Sequence, residues 1–254
     1  MKRRDFLKTA GLCAASLTVL PPLATLSDAA TPSTFTLSDK SLTAKRWAMV
    51  IDTRKLTSSS LLQKITEACH AWHNVPKFTG PQEVKWIWTD SFSAAFPEQT
   101  TDLPANTLAK RSFLLLCNHC ENPPCVRVCP TKATFKRKDG IVVMDYHRCI
   151  GCRSCMSGCP YGARSFNFMD PQPYVASPNR EYPMRTRGVV EKCSFCVERL
   201  NKGKDPLCVE VADGAILFGD LANPLSPVRK TLENNIAVRR KPSLGTGPGV
   251  YYIL

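Results

Sequence analysis

Short apolar runs, separated by prolines, glycines and charged residues, carry what the hydropathy pattern predicts for this chain. Thr134 to Lys136 and Ile141 to Met144 alternate like two strands, and Asp139-Gly140 between them is a hairpin turn signal. Val84 to Thr89 has the same strand-like character, within a stretch rich in Pro and Thr. A helix is predicted to carry Glu67 to Cys69, with Ser58 or Ser59 as its cap. Ser226-Pro227 opens another short helix, since proline is tolerated in a first turn, and Val250 to Leu254 reads as a final strand.

One further apolar segment lies near the start. Thr9 to Leu20 is mildly apolar, follows Lys2-Arg3-Arg4-Asp5-Phe6-Leu7-Lys8, and is succeeded by Pro21 and Pro22. It is too short for the roughly 20 residues of a membrane-spanning helix. A short amphipathic anchor is the competing reading. The twin arginines and the small residues of Ser27-Asp28-Ala29 instead predict a twin-arginine export signal over residues 1–29 and a periplasmic location. Cys13 leaves with that signal. No later segment is apolar for long enough to cross a bilayer, so the mature chain is expected to have no transmembrane helix and to reach a membrane through partners.

Charge and cysteine content change the picture. The 254 residues carry a net charge of +13 and 13 cysteines, eleven of them between Cys117 and Cys208. So basic a chain suggests nucleic acid or an acidic membrane surface. No basic run interleaves with aromatics as in a recognised reader module, so no nucleic-acid partner is expected. Four thiolates outweigh the charge of a 4Fe-4S core and leave roughly −2 per site, which a basic frame offsets.

The cysteine spacing names the chemistry. Cys149, Cys152, Cys155 and Cys159, followed by Pro160, form the C-x2-C-x2-C-x3-C-P run of bacterial ferredoxins. Three thiols two residues apart wrap one cube, and the fourth points away to a neighbouring cube. Cys117, Cys120, Cys125, Cys129 and Pro130 form a second run with a longer gap that contains Pro123 and Pro124. Exchange of fourth ligands predicts Cys117, Cys120, Cys125 and Cys159 around one [4Fe-4S] cluster, and Cys149, Cys152, Cys155 and Cys129 around its neighbour. A third group, Cys193, Cys196 and Cys208, is spaced C-x2-C-x11-C. Disulfides are the usual inference for an exported chain, and four-thiolate zinc sites are a second alternative. The repeated x2 steps ending in x3 and proline favour iron-sulfur over both.

Other residues carry less. His70, His73, His119 and His147 form no haem-attachment motif; hydrogen bonds to nearby cluster sulfur, which tune potential, are one reading of them, and packing or solvent exposure is the expected one. Trp47, Trp72, Trp86 and Trp88 read as core. Ser58, Ser59 and Ser60 have no histidine or acid constellation, so no catalytic residue is assigned and the chain is not expected to be an enzyme by itself.

Glu191-Lys192-Cys193-Ser194-Phe195-Cys196-Val197-Glu198-Arg199-Leu200, with Cys208-Val209-Glu210, resembles the last motif of the four-cluster iron-sulfur subunits serving dimethyl sulfoxide, polysulfide and tetrathionate reductases. The resemblance runs from Arg46 to Gly245-Thr246-Gly247-Pro248. In that family the last motif has a fourth cysteine and a proline where this chain has Ala212 and Asp213. The first motif should follow Arg46-Trp47-Ala48-Met49-Val50-Ile51-Asp52 and Arg54-Lys55 with three cysteines two apart and a fourth three later. This chain has Leu56-Thr57-Ser58-Ser59-Ser60-Leu61-Leu62 and then a single Cys69. The resemblance implies that the four missing thiols belong to one cube. It also implies that the complementary cube keeps Cys69, Cys193, Cys196 and Cys208, for three [4Fe-4S] clusters in total.

The fold implied is α+β. Two bacterial-type 2[4Fe-4S] ferredoxin-like modules are expected, the inner at 112–170 nested within an outer one at 46–70 plus 188–220. An insertion at 71–111 and a C-terminal tail at 221–254 complete it. In the resembled family the missing cube faces the molybdenum subunit, which disfavours that partner; an electron-transfer subunit of a molybdopterin oxidoreductase remains the alternative function. The twin-arginine signal, the degenerate first motif and Glu83-Val84-Lys85-Trp86-Ile87-Trp88 are similar to the periplasmic iron-sulfur subunits of Dsr-type membrane complexes of dissimilatory sulfur metabolism. That similarity implies an integral-membrane quinone-reactive subunit and a periplasmic multihaem cytochrome c as partners.

Overall fold

The computed structural model describes residues 39–100 and 106–254, so the export signal and Cys13 lie outside the described residues. Trp47–Asp52 is the middle strand of a three-stranded sheet. Ile216–Asp220 pairs with it antiparallel, Trp47 opposite Asp220 and Ile51 opposite Ile216, and Val250–Ile253 pairs with it parallel. A strand covered on both faces reads as a continuous apolar run. Its alternation sends Trp47, Met49 and Ile51 into the main core, and Ala48 and Val50 into a smaller cluster with Val228 of the helix Pro227–Asn234.

Ser59–Trp72 is a regular helix of 14 residues whose buried positions are Leu62, Ile65 and Cys69, a stripe spaced three and four residues apart. Ser58 occupies its N-cap position, yet its hydroxyl bonds the Ser60 hydroxyl at 2.7 Å and caps no amide. The expected side-chain cap is therefore absent, because this first turn is exposed and water can satisfy its amides.

The strand expected at Val84 to Thr89 is displaced to Ile87–Ser91, pairing antiparallel with Ser112–Leu116. Val84 and Trp86 are buried before the ladder begins, and the Lys85 amide donates to Ser165 Oγ at 2.8 Å. Those contacts hold the preceding residues away from the ladder. Thr134–Lys136 and Val142–Met144 form the expected hairpin, with Gly140 at φ +86° in the turn. The two-residue strand Ser165–Phe166 pairs with Val190–Glu191. Beside it, the fully buried Arg185 donates to Glu191 at 2.6 Å, and Trp86 Nε1 donates to the same carboxylate at 2.8 Å. The final strand ends at Ile253, one residue earlier than its pattern suggests.

Candidate metal centres

Each cysteine loop is delivered by an element that explains its position. The buried strand Ser112–Leu116 runs straight into Cys117. Pro123 and Pro124 then start a one-turn helix, Pro124–Arg127, that buries Cys125. Ser154–Ser157 does the same for Cys155, and these two turns pack on each other. Cys196 lies at the N-cap of Val197–Leu200, and Cys208 sits within Leu207–Val211, which packs on the Ser59–Trp72 helix. In all three groups the residue two after the first cysteine has a left-handed backbone: His119 at φ 41°, Gly151 at 71° and Phe195 at 54°. Two of these are not glycine, and such conformations are uncommon for other residues. At Gly151 a Cβ would come within 2.5 Å of the Gly188 carbonyl oxygen, so glycine is required there.

The structure brings cysteines of different motifs close to one another. Cys117, Cys120, Cys125 and Cys159 line one cavity together with Asn118, Pro160, Tyr161 and Arg164. Burial and the Cys117 thiol push Cys120 up to about 12. The tail braces this loop: the Glu121 amide donates to Gly247 O at 2.8 Å, Gly249 N to Asn118 O at 2.7 Å, and Tyr161 and Thr246 hydroxyls meet at 2.5 Å.

Cys69, Cys193, Cys196 and Cys208 are all buried. Burial, and then the neighbouring Cys196, Cys193 and Cys208 thiols, hold Cys69 well above the ordinary thiol range. The third quartet is the open one, with Cys155 buried, Cys129 and Cys149 half-buried and Cys152 exposed. Cys152 lies in the electrostatic reach of Cys129, and Ser154 beside it holds its thiol below the ordinary value. Neighbouring quartets touch each other's fields, Cys193 feeling Cys117 and Cys155 feeling Cys125.

Several buried groups that sequence reasoning passed over surround these thiols. Arg164 donates to Cys125 Sγ at 3.0 Å, and the buried Lys192 ammonium donates to the carbonyls of Val142 and Cys193. His73 is buried, with Nδ1 2.8 Å from the Cys69 carbonyl and 3.6 Å from its sulfur. Its Nε2 lies 3.1 Å from Glu198, which also accepts from Trp72 Nε1 at 3.0 Å. Ligand atoms of His73, Cys196 and Glu198 lie within 4.8 Å of one another. Cys196 belongs more naturally with the three thiols, because His73 and Glu198 already satisfy each other. A basic residue next to a cysteine motif, as Lys192 is to Cys193, was the available signal for these counter-charges.

The residues present fit [4Fe-4S] clusters. All twelve described cysteines are free thiols. Inside their loops, Asn118, His119 Nε2 and Ser194 Oγ are buried without a protein partner, which is where cluster sulfur accepts hydrogen bonds. Arg164 and Lys192 supply buried positive charge that thiolate-ligated clusters balance.

The positions where the resembled family has its remaining cysteines are different. Counting back from Cys69 by the spacing of Cys149 to Cys159 falls on Ser59, Leu62 and Ile65. These lie on one unbroken helix, with Leu62 and Ile65 in the main core and Ser59 exposed. Ala212 ends the facing helix and is buried in the same core. An apolar helix contact stands where thiols would converge.

Residues 111–172 match the 4Fe-4S dicluster domain family. The chain is 40% identical to the Hdr-like menaquinol oxidoreductase iron-sulfur subunit 1 of Archaeoglobus fulgidus, over 99% of this chain and 97% of that protein. It is 34% identical to a tetrathionate reductase subunit of Salmonella typhimurium, over 99% of this chain and 87% of that one. It is 36% identical to the iron-sulfur cluster-binding subunit of the menaquinone reductase of Nitratidesulfovibrio vulgaris, over 82% and 88%. With cysteine loops shaped for clusters and relatives that align from end to end, the chain belongs to the family of iron-sulfur electron-transfer subunits of such oxidoreductase complexes.

Proposed function

We propose that this chain is the periplasmic electron-transfer subunit of a Dsr-type membrane complex. It carries three [4Fe-4S] clusters on twelve thiols and relays electrons between an integral-membrane quinone-reactive subunit and a multihaem cytochrome c. The observation that supports the reading is the contrast between twelve free thiols in motif loops and the positions of the absent ones, where Leu62, Ile65 and Ala212 are buried in the main core. Each cluster, when bound, takes up or gives back one electron.

The chain's own residues do the rest. Thiols of the Cys117 quartet act on thiols of both other quartets, which supports an electron path running from the Cys69 site through the Cys117 site to the Cys152 site. The buried end is walled by the Ser59–Trp72 helix; the open end brings Cys152 to solvent. Arg164 and Lys192 hold positive charge inside the row, and the apolar core keeps water from most of the thiols. No helix among the described residues is long and apolar enough to cross a membrane.

Anaerobically purified protein is expected to contain about 12 iron atoms per chain, from three cubes of four. A value near sixteen overturns the three-cluster count, and a value near eight removes Cys69 from the ligands. The second reading is an electron-transfer subunit of a molybdopterin oxidoreductase, favoured by the alignment with the tetrathionate reductase relative over nearly the whole chain. Mass spectrometry of gently solubilised membranes separates the two: a quinone-reactive membrane chain and a multihaem cytochrome support the first, a large pterin-containing chain the second.

A further inference from the structure

Arg164 is a buried guanidinium, 5% exposed, whose hydrogen bonds go to Met144 Sδ at 3.2 Å, Cys125 Sγ at 3.0 Å and Thr134 Oγ1 at 2.8 Å. No carboxylate pairs with it among the described residues. A guanidinium is not deprotonated in proteins, and a buried charge needs an opposite one. The negative groups that act on it most are the thiolates of Cys125, Cys155 and Cys117. Cys125 and Cys117 belong to one quartet, Cys155 to the next. Arg164 therefore stands at the junction of two sites. Cys69, Cys193, Cys196 and Cys208 of the third are not among its strongest influences.

We propose that Arg164 is a shared potential-setting residue, which raises the reduction potentials of the clusters held by Cys117/Cys120/Cys125/Cys159 and Cys129/Cys149/Cys152/Cys155 together and leaves the Cys69 cluster alone. One electron entering a cube adds one negative charge and needs no proton, so a fixed positive charge at the ligand sulfur stabilises the reduced form. The N–H···S bond acts in the same direction by withdrawing density from sulfur. A single cation serving both sites keeps their potentials in step, which favours transfer between them. The proposal rests on the three-cluster reading above.

The test is an EPR-monitored redox titration of the full chain in its complex, purified anaerobically, with iron counted on the same samples. In Arg164→Gln, two of the three midpoint potentials fall and the third stays where it is in the unmodified protein. Equal movement of all three, no movement, or a rise overturns the proposal. Thr134→Val removes the hydroxyl that positions the guanidinium without touching a thiol, and Arg164→Lys keeps the charge but not the fork. Both are expected to lower the same two potentials by less. Should Arg164→Gln lose iron, unmoved potentials in these two variants overturn the idea instead. An unmodified protein without about 12 irons defeats the three-cluster reading, whereas a correct count with unmoved potentials defeats the role of Arg164 alone.

Discussion

The two pairs of cysteine runs diverge in what holds them together. Between Cys117 and Cys159 all eight thiols are present and the helices are single turns; Cys117, Cys120 and Ile141 join the main core, and Cys125, Val142 and Cys155 form a small separate cluster with Val190. Around Cys69 and Cys193 to Cys208 only four thiols remain, and a 14-residue helix, a three-stranded sheet and the main core surround them. Where ligands persist in these runs, short turns with left-handed residues bend the backbone so that thiols approach one another. Where ligands are gone, the same length of chain has become a helix with an apolar stripe. A metal site and a hydrophobic core are alternative ways to fix one stretch of chain, since both offset the conformational entropy of ordering it.

Removing the metal should break the comparison most visibly. Chelation under reducing conditions is expected to leave the 117–159 region without its cross-links while the sheet of Trp47–Asp52, Ile216–Asp220 and Val250–Ile253 keeps its buried ladder. Hydrogen exchange should rise by orders of magnitude at 117–159 and far less in that sheet, in line with metal-linked folding. Uniform protection loss would mean that the outer region depends on clusters equally.

Next in size is Ile65→Ala, which empties a fully buried site beneath the helix. Its cost should be about 2–5 kcal/mol, the range for large-to-alanine changes in cores. Denaturant unfolding measures it, and iron content should stay unchanged because Ile65 holds no metal. A loss of iron out of proportion to unfolding would mean that Ile65 also holds Cys69, one turn along the same helix, in place for its cluster.

Ser58→Ala should have a small effect. Loss of a bonded N-cap costs about 1 kcal/mol, but this hydroxyl faces Ser60 and caps nothing, so thermal or denaturant unfolding should show a change of less than about 0.5 kcal/mol. Smallest of all is Ala212→Cys. One restored thiol in a buried apolar core cannot make a four-ligand site, so iron should remain at about 12 per chain. An added cluster would refute the pairing of the four missing ligands.

Much of this was legible in the sequence. Cysteine spacing is a local property, so the loops at Cys117, Cys149 and Cys193 could be read directly, as could the hairpin at Asp139-Gly140 and the helix starting at Pro227. The displaced strand at Ile87 was not. Trp86 answers to Glu191, 105 residues further along, and Lys85 to Ser165, 80 residues further along, and no local pattern encodes such separations. The long apolar runs before Cys117 and at Trp47 to Ile51 were the signals for the buried strands that deliver the first loop and centre the sheet.

The sequence by itself determined which atoms could bind metal, since residue type and spacing fix the donors and the tightness of each loop. Its resemblance to the family pattern located four positions where this chain has no cysteine. Tertiary structure alone decided what packs at those positions and what surrounds the donors that remain. Leu62, Ile65 and Ala212 share one core because the helices Ser59–Trp72 and Leu207–Val211 pack, and Arg164 reaches Cys125 only because the chain folds back on itself. Burial and long-range contact make charge and apolar surface consequential, and both are properties of the folded chain.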